Sequence, residues 1–289
     1  MLPLTLNYGA PVNWQAPLNR GLVGWWKVLP LRMGTVKWQA LTGPTPATLI
    51  NMSPSSATVG WGGTTRRGGY GELRGNGTSS RMEVADVLRQ RVQPPLSISC
   101  AFRLTATSTN QGLITRNNAA GNWWTGLHYL QASAALQWTM QDPTSGQSPV
   151  WSGPAISAGT WYHVTVVVRG FTGVQADVDM YLNGIKQSVT LSGTYTSAFA
   201  WTYSASPWMF GARAEDTPSF WLGGKLDDIA LRATGLSDRG AMQLAQASKL
   251  GAPEELAWRR LPFGVTAPAT YQPWAHGGFD QRFAPLIAQ

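Results

Sequence analysis

The sequence has little charge, a single cysteine and no long apolar run. Charged residues make up 12% of the 289 positions, about half the roughly 25% of typical soluble proteins. Cys100 excludes an internal disulfide, and it alternates in step with Leu96, Ile98 and Phe102, so we expect a buried free thiol. No stretch approaches the roughly 18 apolar residues of a membrane helix, and the first residues lack the basic region of a signal peptide. We therefore expect synthesis in a reducing host cytoplasm without a signal peptide.

Glycine, proline, tryptophan and arginine are abundant instead. The chain has 32 Gly, 19 Pro and 15 Trp, and its net charge is +8, from 22 basic and 14 acidic residues. Glycine and proline favour many short strands joined by tight turns. Most of the cations are arginines, which suit interfaces and bind carboxylates in a bidentate manner. This balance favours an acidic partner or surface without identifying one.

Two stretches predict the central strands of an antiparallel sheet. In residues 160–169, the side chains of Tyr162, Val164, Val166 and Val168 share one face, because successive side chains of a strand alternate. Residues 177–187 alternate as well, and we expect Asp177, Asp179 and Tyr181 on the solvent side. The dipeptide 183–184, Asn-Gly, predicts a type I′ hairpin turn.

These residues resemble the laminin-G-like, concanavalin A-like jelly roll. The resemblance spans roughly residues 21–250 and implies an all-β, antiparallel jelly-roll β-sandwich with one short helix. Four short motifs carry the resemblance, and they occur in the order typical of that family. They are the opening strand 21–26, Trp161 with His163 and Val164, Tyr181 with Asn183 and Gly184, and Gly211 followed by 223–231.

The chain order predicts one domain between two extended arms. Residues 1–20 and 251–289 are proline-rich without a sustained period, whereas 21–250 contains about a dozen strand candidates and one helix candidate, 237–250, with Ser237 as its N-cap. Aromatic residues and arginine commonly anchor interfaces. We expect the arms either to bind neighbouring subunits or to pack back on their own domain. The residues predicted to bind partners are Trp14, Arg20, Trp258, Arg259, Arg260, Tyr271, Trp274 and Phe279.

Sugar binding requires aromatic rings beside amide or carboxylate groups. Two aromatic pairs lie in Gly-, Ser-, Thr- or Asn-rich stretches that we expect to be loops, and they are Trp123 with Trp124 and Trp201 with Tyr203. Packing or a subunit contact would explain the same rings.

The sequence predicts neither catalysis nor a cofactor. Glycoside hydrolysis needs two carboxylates across the scissile bond, and the nearest match, Asp177 and Asp179, is followed by Tyr181 rather than a third acid. Relatives of this fold often hold Ca²⁺, but the corresponding stretch 73–78 has no acid, so Ca²⁺ stays a weak possibility. Asp227 is expected to face inward with Ile229 as a buried turn acceptor rather than a metal ligand, and Asp228 is expected to face outward.

Three functions follow as hypotheses. The first is a non-enzymatic structural virion protein, a capsid decoration or cement protein or a tail protein, whose arms bind virion neighbours or copies of itself. The opening 13–22 resembles laminin-G-like chains of phage type. The second is a carbohydrate-binding module that adheres to host glycans, and the third is a glycan hydrolase. Neither nucleic-acid binding nor membrane association is indicated.

Overall fold

A computed structural model describes the central part of the chain. The described residues are 21–26, 37–38, 40–42, 47–50, 53–54, 60–61, 73–84, 94–117, 124–141, 146–170, 174–193, 207–214 and 218–250. All structural statements below concern these residues. The predicted arms, 1–20 and 251–289, lie outside them. None of the helices in this part of the chain is long and apolar enough to cross a membrane.

The described residues form nineteen strands and one α-helix. In chain order they are β1 Leu22–Trp26, β2 Lys37–Trp38, β3 Ala40–Thr42, β4 Ala47–Ile50, β5 Ser53–Pro54, β6 Gly60–Trp61, β7 Leu73–Asn76, β8 Arg81–Val84, β9 Leu96–Leu104, β10 Gln111–Asn117, β11 Trp124–Leu130, β12 Ala135–Met140, β13 Val150–Ala155, β14 Tyr162–Val168, β15 Val178–Leu182, β16 Ile185–Gln187, β17 Thr190–Ser192, β18 Trp208–Phe210, β19 Gly223–Arg232 and α1 Asp238–Leu250. The predicted all-β fold with one short helix is confirmed.

Two sheets make up the sandwich. Ten strands follow the order β16-β15-β14-β9-β19-β7-β6-β5, with β1 also paired to β19 and β3 paired to β1, and nine strands follow the order β17-β13-β12-β11-β10-β18-β8-β4-β2. Almost every pairing is antiparallel; β5 with β6 is parallel. One apolar core joins side chains of both sheets, such as Ile98 and Val164 with Trp138 and Phe210. The buried Cys100 belongs to this core, as predicted.

The central strands have the predicted parity. Val164, Val166 and Val168 of β14 belong to the core between the sheets. The turn between β15 and β16 has φ values of 53° at Asn183 and 83° at Gly184, the conformation that a type I′ turn requires. The Asn183 side chain also accepts a hydrogen bond from the backbone N–H of His163, at 2.9 Å.

Helix α1 covers the outer face of the ten-stranded sheet. The Ser237 hydroxyl accepts the N–H of Gly240 at 3.2 Å, so Ser237 caps the helix as predicted. The Tyr181 hydroxyl donates to Oδ1 of Asp238 at 2.6 Å. A second apolar cluster beneath the helix combines Val167 and Tyr181 with Leu236 and Ala241. The sheet is therefore packed on both faces.

The expectation that Asp177, Asp179 and Tyr181 face solvent is wrong. All three side chains are buried. Asp179 forms ion pairs with Arg169 and Lys186, the latter with Nζ–Oδ1 at 2.8 Å. Asp177 accepts the backbone N–H of Val174 at 3.3 Å and so closes a short 3-10 turn. In β15, alternation gives the correct face for Asp179 and Tyr181, but it does not show that another part of the chain covers that face.

Asp227 is the buried turn acceptor that was expected, since it accepts the backbone N–H of Asp228 at 2.8 Å. The face expected for Asp227 and the outward position expected for Asp228 are wrong. A β-bulge lies between Asp227 and Ala230, and Asp228 has a φ of 49°. The extra residue reverses the alternation, so Asp227 lies on the outer face opposite Ala101 instead of facing inward with Ile229. Asp228 is buried as well, and its carboxylate accepts the Ser248 hydroxyl of α1 at 3.4 Å.

Candidate functional site

The outer face of the nine-stranded sheet carries a row of amide, imidazole and hydroxyl groups. In β11 and β12, Leu127, Tyr129, Leu136 and Trp138 face the core, so the residues between them face the opposite side. The register pairs His128 with Gln137, Gln137 with Ser152, and Ser152 with Thr190. We call these four residues the polar row. Adjacent strands are about 4.8 Å apart, so the row spans about 14 Å.

Gln137 connects the members of the polar row. Its Nε2 donates to the Ser152 hydroxyl at 3.0 Å and contacts the Ser133 hydroxyl at 3.5 Å. Exposure rises along the row, because His128 is 3% exposed and Gln137 8%, Ser152 is half-buried and Thr190 is exposed. The row therefore presents neutral donors and acceptors to solvent at one end and leads to a buried imidazole at the other.

An aromatic cluster borders the buried end of the polar row. Its members are Trp124, His128, Arg213 and Phe220. The Trp124 and His128 rings meet edge to face with centroids 4.8 Å apart, and the His128 and Phe220 centroids are 6.4 Å apart. The Arg213 guanidinium carbon lies 3.6 Å from the centroid of Phe220 and 5.4 Å from that of Trp124. Such cation–π contacts hold a guanidinium in place without neutralising its charge.

The backbone fixes Arg213 and Phe220 against β10. The N–H of Gly112 donates to the Phe220 carbonyl at 2.6 Å, and the Arg213 N–H donates to the Ser219 carbonyl at 2.7 Å. The Thr115 hydroxyl donates to the Ala212 carbonyl at 2.7 Å. Phe220 has a φ of 49°, an unfavourable conformation for a bulky residue that often occurs at functional sites.

A glycine is required where this segment crosses β10. A Cβ atom at Gly112 would lie 2.2 Å from the carbonyl carbon of Ala212 and 2.4 Å from the backbone nitrogen of Arg213. Any larger residue would displace the backbone that carries Arg213. The position of this cation therefore depends on a close backbone approach.

His128 is held neutral at physiological pH. Burial lowers its pKa from 6.5 to about 3, and the charge of Arg213 acts in the same direction, while the Gln137 side chain and the Gly126 carbonyl offset part of the effect. A neutral imidazole has one donor and one acceptor nitrogen. Nδ1 is buried, and it has no hydrogen-bond partner among the described residues. A buried polar atom of this kind normally requires a partner.

The structure locates few of the predicted site residues. Trp124 is not in a loop as expected. It begins β11, and its ring is 4% exposed against His128 and Arg213, so it is not an open platform for a sugar. The other predicted glycan-binding and partner-binding residues lie outside the described residues, and they are Trp14, Arg20, Trp123, Trp201, Tyr203, Trp258, Arg259, Arg260, Tyr271, Trp274 and Phe279.

The sequence prediction missed most of the site. It assigned no role to His128, Gln137, Ser152, Arg213 or Phe220. One sequence signal for the site was present. Side chains alternate in 126–131 and 135–141, and this alternation places His128 and Gln137 on the face opposite the core residues. The pairing that aligns them is not visible in a single sequence.

The described residues contain no group of three or more His, Cys, Asp or Glu side chains that could hold a metal ion. Six carboxylate residues are described, and five of them lie in or beside the ten-stranded sheet. The sixth, Glu83 of β8, is bound by Arg81, with Nε–Oε1 at 2.6 Å. None belongs to the polar row or the aromatic cluster.

Comparison with known proteins identifies the family of the chain. A laminin-G-like family model, described as the concanavalin A-like lectin/glucanases superfamily, matches residues 76–239, which is more than half of the chain. No curated protein sequence matches the chain.

Solved structures share the fold at low sequence identity. A Trypanosoma rangeli sialidase in complex with 2,3-difluorosialic acid is 14% identical, with a TM-score of 0.57 over 87% of this chain and 36% of that chain. A mutant of that sialidase displaying trans-sialidase activity is 15% identical, with a TM-score of 0.54 over 84% and 35%. Domain 4 of AbnA, an extracellular GH43 arabinanase from Geobacillus stearothermophilus, in complex with arabinotriose, is 18% identical, with a TM-score of 0.50 over 78% and 98%. The chain spans about a third of the length of the sialidases. At these identities the similarity concerns the fold.

Proposed function

Because the chain belongs to the concanavalin A-like lectin/glucanases superfamily, we propose that it is a non-catalytic carbohydrate-binding module. The proposed site is the outer face of the nine-stranded sheet, with the polar row as the surface that contacts the sugar. Domain 4 of AbnA, which the chain covers over nearly its whole length, was solved with arabinotriose, and this supports a glycan as the class of ligand.

The polar row is the observation that carries the proposal. Sugars are recognised through hydroxyl groups, each of which can donate and accept a hydrogen bond. Gln137, Ser152 and Thr190 offer both kinds of group in register across three neighbouring strands. The Nδ1 of His128, buried and without a partner among the described residues, adds a further polar atom at the end of the row. The length of about 14 Å suits an oligosaccharide better than a small ion.

The arrangement of acids supports binding without hydrolysis. A glycosidase needs two carboxyl groups about 5 to 10 Å apart on either side of the bond. Within the described residues, the polar row has no carboxylate. The candidate pair from the sequence lies on the other sheet, where Asp179 is engaged by two cations.

The test is glycan retention by matched variants. We expect the wild-type chain to bind a subset of an oligosaccharide array. Gln137→Ala should weaken that binding about five- to thirtyfold, because one or two hydrogen bonds of about 1 kcal/mol each are lost. Gln187→Ala is the control, since Gln187 lies in β16 of the other sheet, where its side chain donates to the carbonyl of its neighbour Ile185 at 2.8 Å. Equal binding by wild type and Gln137→Ala, or no binding to any glycan, would contradict the proposal.

We also propose a structural role in a virion for the two terminal segments. Residues 1–20 and 251–289 combine Trp, Tyr, Phe and Arg with frequent proline, a composition that favours contact with other subunits of the particle or with further copies of this chain. Deleting residues 1–18 or 252–289 should leave a folded domain that no longer joins particles. Undiminished incorporation of both truncated chains would contradict this role.

A further inference from the structure

We propose that Trp221 is a stacking platform for a further sugar residue on the outer face of the nine-stranded sheet, and that it selects pyranose rings. The inference rests on the proposed carbohydrate-binding function and names the class of sugar that this face binds. It depends on a half-buried indole that lies beside an arginine–glutamate pair of β8.

Trp221 keeps part of its surface accessible to a ligand. It lies in the segment between β18 and β19 and is half-buried. The tryptophans of β11, β12, β13 and β18 are buried, and they are Trp124, Trp138, Trp151 and Trp208. Those four side chains serve packing, whereas Trp221 can contact a molecule in solution.

Arg81 and Glu83 place Trp221 beside the outer face of the sheet. In β8, Met82 and Val84 belong to the core, so Arg81 and Glu83 face the opposite side. The guanidinium carbon of Arg81 lies 5.6 Å from the centroid of the Trp221 ring. Nε of Arg81 donates to Oε1 of Glu83 at 2.6 Å. The three side chains therefore form one group, which we call the Trp221 cluster.

The backbone on both sides of Trp221 is anchored. The N–H of Leu222 donates to the Gly211 carbonyl at 2.9 Å, and the N–H of Gly112 donates to the Phe220 carbonyl at 2.6 Å. The side chain of Leu222 is fully buried. Because the neighbouring residues hold Trp221 in place, a ligand that contacts it loses little free energy in ordering it.

The chemistry of the Trp221 cluster matches a pyranose. The face of an aromatic ring is electron-rich and attracts groups with a partial positive charge. A pyranose chair such as glucose, galactose or xylose presents several C–H bonds on one flat face, and the smaller furanose ring presents no such face. Arg81 bonds one oxygen of Glu83, and a carboxylate has a second oxygen that can accept a sugar hydroxyl. The side chains of Arg81 and Glu83 are 18% and 23% exposed, so a ligand can reach them.

The Trp221 cluster and the polar row lie on the same face, within reach of one oligosaccharide. Strands β8, β18, β10, β11 and β12 are consecutive in the sheet. Glu83 of β8 and Gln137 of β12 are therefore separated across the strands by four spacings, about 19 Å. A glycan that contacts both places must contain several sugar residues, so the test uses hexasaccharides.

Calorimetric titrations with four hexasaccharides test the class of sugar. The pyranose probes are cellohexaose, xylohexaose and β-1,4-linked galactohexaose, and the furanose probe is α-1,5-linked arabinohexaose. We expect at least one pyranose probe to bind about five- to thirtyfold more tightly than arabinohexaose, the range typical of one aromatic contact at a binding surface.

Variants assign this preference to Trp221. Trp221→Ala should weaken binding of the preferred pyranose probe about five- to thirtyfold, and Trp221→Phe should keep part of the affinity because it retains a ring. Trp25→Ala is the matched control, since Trp25 is also half-buried but lies in β1 of the other sheet, and it should bind as wild type does. If Trp221→Ala does not fold, the indole N–H signal of Trp221 in the wild-type chain, assigned through Trp221→Phe, should shift and saturate with the affinity from calorimetry.

The outcomes separate this inference from the proposed function. If Trp221→Ala binds as tightly as wild type, or the indole signal does not shift, while Gln137→Ala binds more weakly, the stacking platform is overturned and carbohydrate binding stands. Arabinohexaose binding as tightly as every pyranose probe would overturn the selection of pyranose rings. Binding of other glycans on an array but of none of the pyranose probes would overturn the inference alone, and no binding to any glycan would overturn both proposals.

Discussion

Replacing His128 with glutamine should change how the stability of the protein depends on pH. The imidazole is 3% exposed and lies between Trp124, Phe220 and the charge of Arg213. These surroundings lower its pKa from 6.5 to about 3. The unfolded chain therefore binds a proton at this residue near pH 6.5, whereas the folded protein does so only near pH 3. Between these values the unfolded state holds more protons, so the free energy of unfolding falls as the pH falls.

The size of the effect follows from the pKa difference. One pKa unit corresponds to about 1.4 kcal/mol. At pH 4.5, two units below the unfolded value and above the folded one, His128 should lower the free energy of unfolding by roughly 2–3 kcal/mol relative to pH 7.5. Glutamine at this position does not titrate, so the variant lacks this contribution.

Urea denaturation at pH 7.5, 6.0 and 4.5 measures the difference between wild type and His128→Gln. Carboxylates titrate in both proteins, so their contribution cancels in the difference. We expect the variant to gain roughly 2–3 kcal/mol relative to wild type between pH 7.5 and 4.5. A difference that stays constant with pH would refute the conclusion that His128 is buried and neutral beside a cation.

Three further predictions test the structure around the two sheets. Tyr181→Phe removes the hydrogen bond to Asp238 that joins the sheet to α1. Because this bond holds the pKa of Asp238 below its usual range, we expect the pKa of Asp238 to rise in the variant, which an NMR titration would measure, and an unchanged pKa would contradict the contact. Gly112→Ala should cost about 1–3 kcal/mol and weaken glycan binding, because its Cβ would displace the backbone of Arg213; unchanged binding would show that this close approach does not position the site. Cys100 is fully buried, so a thiol-reactive dye should label it only in denaturant, and rapid labelling of the native protein would place it elsewhere.

The sequence predicted the core strands because their side chains alternate within short stretches. Val164, Val166 and Val168 face the core, and the Asn183–Gly184 turn has positive φ at both residues. Both features are specified by patterns within a few consecutive residues. The N-cap at Ser237 was predictable for the same reason.

Features that depend on contacts between distant segments were not predictable. Asp179 lies on the predicted face but is buried, and it forms ion pairs with Arg169 and Lys186. The bulge at Asp228 reverses the face of Asp227, and it is visible only in the register with β9. The expectation that Trp124 lies in a loop was wrong. Strand β11 begins at Trp124, two residues before the stretch 126–131 in which apolar and polar side chains alternate.

The candidate site illustrates the same limit. His128, Gln137 and Ser152 are separated along the chain and come into line through the pairing of three strands. Arg213 and Phe220 join them because the segment that carries them crosses β10 at Gly112. A single sequence indicates which face each strand turns outward, but it does not indicate which residues share a row.

Chemical-shift mapping of the isotope-labelled chain with an oligosaccharide ligand tests the central claim most directly. If the outer face of the nine-stranded sheet binds glycans, the amide and side-chain signals of His128, Gln137 and Ser152 should shift together and saturate with one affinity. Shifts confined to α1 and the ten-stranded sheet, or no saturable shifts with any ligand of the array, would contradict the account.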